Sequence, residues 1–456
     1  MQHLVLRVPI LVTLLVLSGV PMVAARTWHV PSEAPTIMAG LFAATVGDTV
    51  EVACGTYFEH DLILVSGVVL RSETGLADCV TIDAQQQGRV FLAMDLAEAA
   101  VLLGLTVTGG HSPDDSDYAG GIYCLNSSLH ISQCNIEGNY AYYSGGGIYA
   151  KHSELVVTDT RFGENEGENG GGGAIRAHEV EGEFTSCLFE ANLGIDGAGV
   201  FLSHSSPDFD HCTFLNNDGW FFGGAVFCVS ESNPLFEHCT FVGNVAHLGA
   251  GLMVAANSSP TFEACIIAFN HGGAGFECHD QYSDPTFNCS DVFGNEGGGY
   301  SGYIDDQTGV NGNLAANPWF CDLETGDLTL AAGSPCLPAH NECSVLMGAH
   351  AEGCTLTPVT DQPALGWRLA PNHPNPFNPR TTIDFVLAIP ATVDLRVHDL
   401  TGRLIAVLRH GHEAAGSHAV IWEGRDARGR TMPSGTYFYR LRVGNRTETR
   451  AMQLVR

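Results

Sequence analysis

The stretch GGAVFCVSESNPLFEHCTFVGN, Gly223 to Asn244, decides the fold, because the same pattern recurs on both sides of it. A glycine-rich turn leads into an apolar residue. That residue returns as Ile122, Ile148, Ile175, Val200, Val226, Leu252 and Phe276, at steps of 26, 27, 25, 26, 26 and 24 residues. Each unit closes on an asparagine: Asn139, Asn165, Asn192, Asn217, Asn244, Asn270 and Asn295. In the first six units that asparagine lies three residues after an apolar one, at Ile136, Phe162, Phe189, Phe214, Phe241 and Ile267. Self-similarity at a fixed period of this size marks a solenoid or repeat array.

Composition removes the helical alternatives. Glycine pairs interrupt every unit, which helical repeats do not tolerate, and leucine is too sparse for a leucine-rich frame. A coil of about 26 residues suits three short strands and three bends, a right-handed parallel β-helix. Coils then stack ~4.8 Å apart, so equivalent side chains lie one above another. The asparagines should pass amide hydrogen bonds from coil to coil, since each side chain both donates and accepts. A second column is aromatic: Phe184, Phe209, Phe236 and Phe262, each three residues before a cysteine. The cysteine column runs Cys134, Cys187, Cys212, Cys239 and Cys265, with Thr160 replacing one member and Cys289 in the last unit. These columns read as core, each buried Phe contributing roughly 1.5–3 kcal/mol.

Outward from the repeats, residues 26–60 read as an N-terminal cap: a strand at Thr27–Val30, a helix near Thr36–Ala44, a turn at Gly47-Asp48 and a strand at Thr49–Ala53. A solenoid end exposes core and strand edges, so it needs such a plug. Residues 61–354 form the solenoid itself. Its less regular early coils have strands at Val68–Leu70, Val80–Ile82 and Val101–Val107, and a closing segment covers roughly 317–354. A Thr/Pro-rich linker at 355–367 leads to residues 368–456, a small β-sandwich. The strands expected there are Thr382–Leu387, Thr392–His398, Arg403–Leu408, His418–Glu423, Thr436–Val443 and Thr447–Leu454. Tyr437, Tyr439, Leu441 and Val443 face one way, and Arg440 and Arg442 the other. The fold class is all-β, a solenoid followed by an Ig-like sandwich.

Residues 1–25 read as a secretory signal. Arg7 precedes an apolar run from Val8 to Val20, and Val23-Ala24-Ala25 offers a small-residue cleavage site. The run is too short to span a bilayer comfortably. Export into an oxidising compartment permits disulfides among the 15 cysteines, an odd number. Spacing suggests bridges within coils, Cys124 with Cys134, Cys228 with Cys239 and Cys278 with Cys289. It also suggests Cys321 with Cys336 and Cys343 with Cys354, and it allows Cys54 with Cys79. Cys187, Cys212 and Cys265 lack such partners and read as buried thiols.

Charge divides the chain. Residues 26–367 hold 6 basic and 43 acidic residues, net −37, whereas 368–456 hold 13 arginines against 7 acids, net +6. The acidic part should repel nucleic acid and anionic membrane and attract divalent cations. Calcium is the one cofactor expected, with Asp114, Asp115 and Asp117 as candidate ligands, although their spacing is not that of an EF-hand and a solvated acidic loop is the plainer alternative. His211 and His238 each precede an equivalent cysteine and should stack on the outer surface.

Evidence for catalysis is thin. Lyases acting on uronates need an arginine or lysine base, and the regular coils hold only Lys151, Arg161 and Arg176. Glycosidases need two carboxylates at a set separation, and no pair stands out in a repeated frame. Binding has better support. The turns before two first strands cluster aromatics, Tyr140, Tyr142 and Tyr143, then Trp220, Phe221 and Phe222. Such rings stack on sugar faces or anchor partner proteins. The alternative is that they fold back over the coil edge.

Three resemblances carry these readings further. Gly47-Asp48-Thr49-Val50 with Gly55-Thr56-Tyr57 resembles the opening of pectin-lyase-like right-handed β-helix proteins. Gly326-Asp327-Leu328 and Ser334-Pro335-Cys336 resemble the last turns of secreted bacterial ones. That fold hosts lyases, hydrolases and esterases, which implies a polysaccharide-degrading enzyme as one candidate. The units Gly172-Gly173-Ala174-Ile175 and Gly223-Gly224-Ala225-Val226, with their F-x-x-N closures, are similar to repeats of chlamydial polymorphic outer-membrane proteins. Those are autotransported adhesins, so this resemblance implies adhesion. The C-terminal run Pro374-Asn-Pro-Phe-Asn-Pro379, with Leu400-Thr-Gly-Arg403, Trp422-Glu-Gly-Arg-Asp426 and Ser434-Gly-Thr-Tyr-Phe-Tyr439, resembles two related domains. They are the sorting domain of type IX secretion substrates and the Ig-like domain of flagellar hook-capping proteins. It implies passage across a bacterial outer membrane and display or release. The expectation is an exported, cell-surface or extracellular protein, binding a glycan or surface protein and meeting secretion or envelope machinery through its C-terminal domain. Neither a transmembrane span nor a nucleic-acid partner is expected. A structural surface-layer component is the third reading.

Overall fold

The computed structural model describes residues 24–112, 118–323, 325–355, 367–370, 372–387, 391–400, 402–414, 416–443 and 446–456. The signal read at 1–25, apart from its last two residues, lies outside them, as do the linker core at 356–366 and Asp114, Asp115 and Asp117.

Each regular coil has four walls. In the coil that begins at Ile122 they are Ile122–Leu125, Ser128–Ser132, Asn135–Glu137 and Tyr140–Ala141. The third wall builds a parallel sheet of ten strands and the fourth one of seven. The first and second walls merge into one sheet, because Ile148–Thr158 and Ile175–Thr185 run through both as continuous strands. The step from second to third wall is a left-handed corner at Gln133, Asp159, Ser186, His211, His238, Ala264 and Cys289, with φ between 48° and 54°.

Register follows the repeat residue for residue. Ile122 pairs with Ile148, then Ile175, Val200, Val226, Leu252 and Phe276 follow in line, all fully buried. The asparagines form one file along a corner of the core. Asn139 Nδ2 donates to Asn165 Oδ1 at 3.0 Å, and the links on to Asn192, Asn217, Asn244, Asn270 and Asn295 measure 3.0, 2.9, 2.9, 3.0 and 2.8 Å. Each amide also donates to a main-chain carbonyl of the preceding coil, as Asn217 does to Phe189 at 2.9 Å. From Asn165 onward each oxygen accepts the main-chain N–H of the asparagine before it, as Asn244 does from Asn217 at 3.0 Å, and Asn139 accepts from Gly110 N at 2.9 Å. Polar groups that water cannot reach are thus satisfied.

The rings stack nearly parallel. Phe184, Phe209, Phe236, Phe262 and Phe287 lie 4.9, 4.9, 5.1 and 4.5 Å apart in sequence, and Phe162, Phe189, Phe214 and Phe241 form a second file at 4.8, 4.6 and 4.7 Å. A further file, not expected from sequence, is made of serines. Main-chain N–H groups of Ser205, Ser232 and Ser258 donate to Ser232, Ser258 and Ser283 Oγ, each at 3.1 Å.

The cysteines need correcting. Cys289 is not in the thiol column; Ser290 is, and its Oγ accepts from Cys265 N at 3.0 Å. Cys289 occupies the outward corner position and bonds Cys343. Cys321 bonds Cys354, and Cys54 bonds Cys79. The bridges read for Cys124–Cys134, Cys228–Cys239, Cys278–Cys289, Cys321–Cys336 and Cys343–Cys354 are absent. Cys124 and Cys228 line the first wall, while Cys134 and Cys239 line the corner file. There each thiol donates to a main-chain carbonyl of the coil before, as Cys239 does to Phe209 at 3.4 Å. Nine cysteines are free thiols, and all are buried.

The N-terminal helix spans Ile37–Ala43, one residue inside the expected bounds at each end. Thr36 caps it by accepting from Ala39 N at 3.1 Å, and Glu59 accepts from Ile37 and Met38 N at 2.8 and 3.0 Å. Ile37 and Leu41 plug the core. The strand expected over Val101–Val107 is two strands, Ala100–Leu103 and Thr106–Thr108. Gly104 turns the chain between them with φ +65, and a Cβ there would sit 2.3 Å from the Gly75 carbonyl carbon.

The closing segment does not merely end the stack. It folds back along the outside of the third wall, where Phe320, Leu328, Leu330 and Met347 pack on Leu215, Val242 and Ile266. Gly348 N reaches Ala264 O at 2.7 Å and Ala349 N reaches Thr240 Oγ1 at 2.9 Å. Among its described residues the C-terminal module has seven strands in two antiparallel sheets: Trp367–Leu369, Thr381–Leu387 and Gly416–Trp422 in one, Leu404–Glu413, Ala391–His398, Gly435–Val443 and Arg446–Leu454 in the other. Its core holds Phe385, Leu395, Trp422, Tyr439 and Leu441. Among the described residues no helix is long and apolar enough to cross a membrane.

Candidate ligand-binding surface

Outward-facing positions of the first wall also stack. Behind each buried apolar residue follows one member of a second column: Tyr123, Tyr149, Arg176, Phe201, Phe227, Met253 and Glu277, paired in that order. Fourth-wall turns lean over this column and cover most of it. Phe201, Phe227 and Met253 pack there with Phe222 and Leu248.

At the N-terminal end the column ends in a tyrosine cluster that reaches solvent through Tyr143, with Tyr149 only 8% exposed beneath it. Tyr118 lies 4.3 Å from Tyr149 and 5.2 Å from Tyr143, the latter edge to face, while Tyr123 and Tyr149 stack at 5.7 Å. Tyr143 is 37% exposed. The Arg89 guanidinium sits 5.4 Å above the Tyr123 ring and that of Arg176 sits 4.3 Å above Phe201. Asp196 completes the group. Burial pushes its carboxyl up to about 6, with Arg176 and a main-chain hydrogen bond from Phe222 pulling the other way. Its Oδ1 is buried without a protein hydrogen bond. Flat phenol faces, two guanidiniums in an otherwise acidic solenoid and an unsatisfied carboxylate oxygen supply stacking, cationic contact and hydrogen bonding together.

Of the residues expected at a binding surface, Tyr143 belongs to this cluster and Tyr142 lies half-buried beside it. Tyr140 turns away, stacks on His111 at 4.9 Å and donates its hydroxyl to Glu168. Tyr118, Tyr123, Tyr149, Arg89 and Arg176 were missed as a group. Their signal was present in the 26-residue spacing of Tyr123 and Tyr149, each directly after a core residue.

Trp220, Phe221 and Phe222 are elsewhere. Trp220 is only 7% exposed because the C-terminal module lies on it, with His398 at 4.6 Å and Phe438 at 5.2 Å. Phe221 meets Phe438 at 6.1 Å, and Phe222 turns toward the covered column. The Arg440 guanidinium reaches Asp218 at 3.5 Å, with Asp218 1% exposed. Arg442 reaches Glu164 at 3.8 Å. The basic module therefore docks on the acidic fourth wall. His398 points out of its own sandwich toward that wall, and burial drives its imidazole down to about 2.

Comparison with known proteins agrees with this architecture. Residues 158–315 match the family model for a right handed beta helix region, and residues 378–446 match that for the FlgD Ig-like domain. The chain is a right-handed parallel β-helix followed by an antiparallel module consistent with an Ig-like domain. No curated protein sequence matches it. Among solved structures it is similar to PorZ of Porphyromonas gingivalis, described as an essential surface component of the type-IX secretion system. Identity there is 23% over 20% of this chain, at a TM-score of 0.15, and the match spans 12% of PorZ. It is also similar to pectin methylesterase of Aspergillus niger, at 15% identity over 57% of this chain and 89% of the esterase, TM-score 0.35. A second form of that esterase gives 16% identity over 58% and 90%, TM-score 0.34.

Proposed function

We propose that this right-handed β-helix is an exported protein that binds a glycan without turning it over, and that its FlgD Ig-like module serves export or attachment. The tyrosine cluster carries the reading. Tyr143 presents its ring to solvent, Tyr118 packs 5.2 Å from it and 4.3 Å from the buried Tyr149, and Arg89 and Arg176 stand beside them. Sugar rings stack on such faces, and a guanidinium pairs with hydroxyls, carboxylates or sulfates.

One observation favours the rival enzyme. A carboxyl raised to about 6, as at Asp196, is suited to proton transfer near neutral pH. A glycan array on the mature chain, paired with reducing-sugar and unsaturated-product assays, separates the readings. Saturable binding without product, lost in Tyr143→Ala and Arg176→Ala, is expected. Product release that Asp196→Asn abolishes would establish the enzyme, and absence of both binding and product would leave a scaffold.

A further inference from the structure

At the second-to-third corner, two adjacent coils place histidines at equivalent left-handed positions, His211 with φ 51 and His238 with φ 50. Their rings stack at 4.7 Å and 19°. Asp210 stands before both: its Oδ1 is 2.6 Å from His211 Nδ1 and 3.9 Å from His238 Nδ1. The His238 Nδ1 atom is itself buried and makes no hydrogen bond. Glu237, which pairs with Asp210 across the coils, lies 3.9 Å from the same nitrogen. Asp210, His211 and His238 all offer ligand atoms within 4.8 Å of one another.

We infer that this corner is a binding site for a divalent transition ion of the zinc class. Tetrahedral coordination at ~2.0–2.1 Å holds ligand atoms about 3.3 Å apart, and the two observed nitrogen–oxygen separations bracket that value. Two imidazoles with one carboxylate are a donor set that zinc, nickel and copper accept and that calcium, an oxygen seeker, does not. Stacking of coils does the positioning, since one rung supplies His211 and Asp210 and the next supplies His238. A third imidazole, His350, comes from the folded-back segment. It stands near the corner and meets Thr213 Oγ1 through Nε2 at 2.9 Å.

The test is calorimetric titration of the mature chain with zinc chloride, with cobalt(II) absorption reporting coordination geometry. One ion per chain is expected to bind at micromolar affinity, with a tetrahedral cobalt spectrum. The double variant His211→Asn, His238→Asn should weaken binding at least tenfold. Asparagine tolerates the left-handed corner, so the metal-free melting temperature should stay that of the parent, which keeps a loss of binding separate from a loss of fold. An unchanged isotherm in the double variant, or no tight binding in the parent, would overturn the site.

Discussion

Each ladder asparagine holds three partners at once, so its loss strands polar groups on both neighbouring rungs. Asn217→Ala removes the acceptor of Asn192 N and Nδ2 and leaves Phe189 O without its amide. The expected cost is about 2–4 kcal/mol in urea denaturation, because buried groups lose partners that water cannot replace. The thiols give a second expectation. Burial raises Cys124 and Cys134 to about 11 and moves Cys228 further up. In the native protein the nine free thiols should resist maleimide at pH 8 and react only on unfolding, while peptide mapping recovers Cys54–Cys79, Cys289–Cys343 and Cys321–Cys354. The asparagine and phenylalanine files were legible because one period governs them and a single residue type marks each. The disulfides were not. Short sequence separation favours a bridge only when both side chains share a wall, and Cys124 and Cys134 line different ones. Cys289 missed its file by one residue, and that offset turned it outward to Cys343, 54 positions away.

The docking of the Ig-like module on the fourth wall is the element-level result that sequence could not give. Opposite net charges were visible, but which of Arg440, Arg442 and Phe438 would meet which rung depends on how the module is oriented. Trp220 looked like an exposed anchor for a ligand and is instead an anchor for the chain's own sandwich. Docking should depend on pH through His398. Burial against the fourth wall, with Arg440 and Arg396 of its own module, holds the imidazole near 2 when docked; release relieves the burial, so protonation on acidification opposes docking, and near neutral pH the effect vanishes. Asp218 acts in the other sense, since burial raises its carboxyl and acidification relieves it. Small-angle scattering from pH 7.5 to 5 should report module release, with Trp220 fluorescence shifting red, and His398→Gln should flatten the dependence. Arg440→Ala should release the module even at pH 7.5, because Asp218 would be left buried without its cation.

For the whole molecule, the proposed division of labour sets glycan binding on the first-wall column and the turn at Tyr143, and docking on the adjoining fourth wall. Deleting residues 368–456 should abolish surface display while leaving glycan binding at the tyrosine cluster intact, as read by whole-cell labelling and by the array. Unchanged display would remove the sorting role. The folded-back segment has a mechanical consequence. Its contacts reach Ala264 and Thr240, and those of the module reach Asp218 and Glu164, several rungs inside the stack. A tug on the C-terminus of a tethered molecule is therefore spread sideways over many turns as shear and does not peel the final turn from its neighbour. A protein anchored at that end would withstand drag from flowing liquid with its spring left wound.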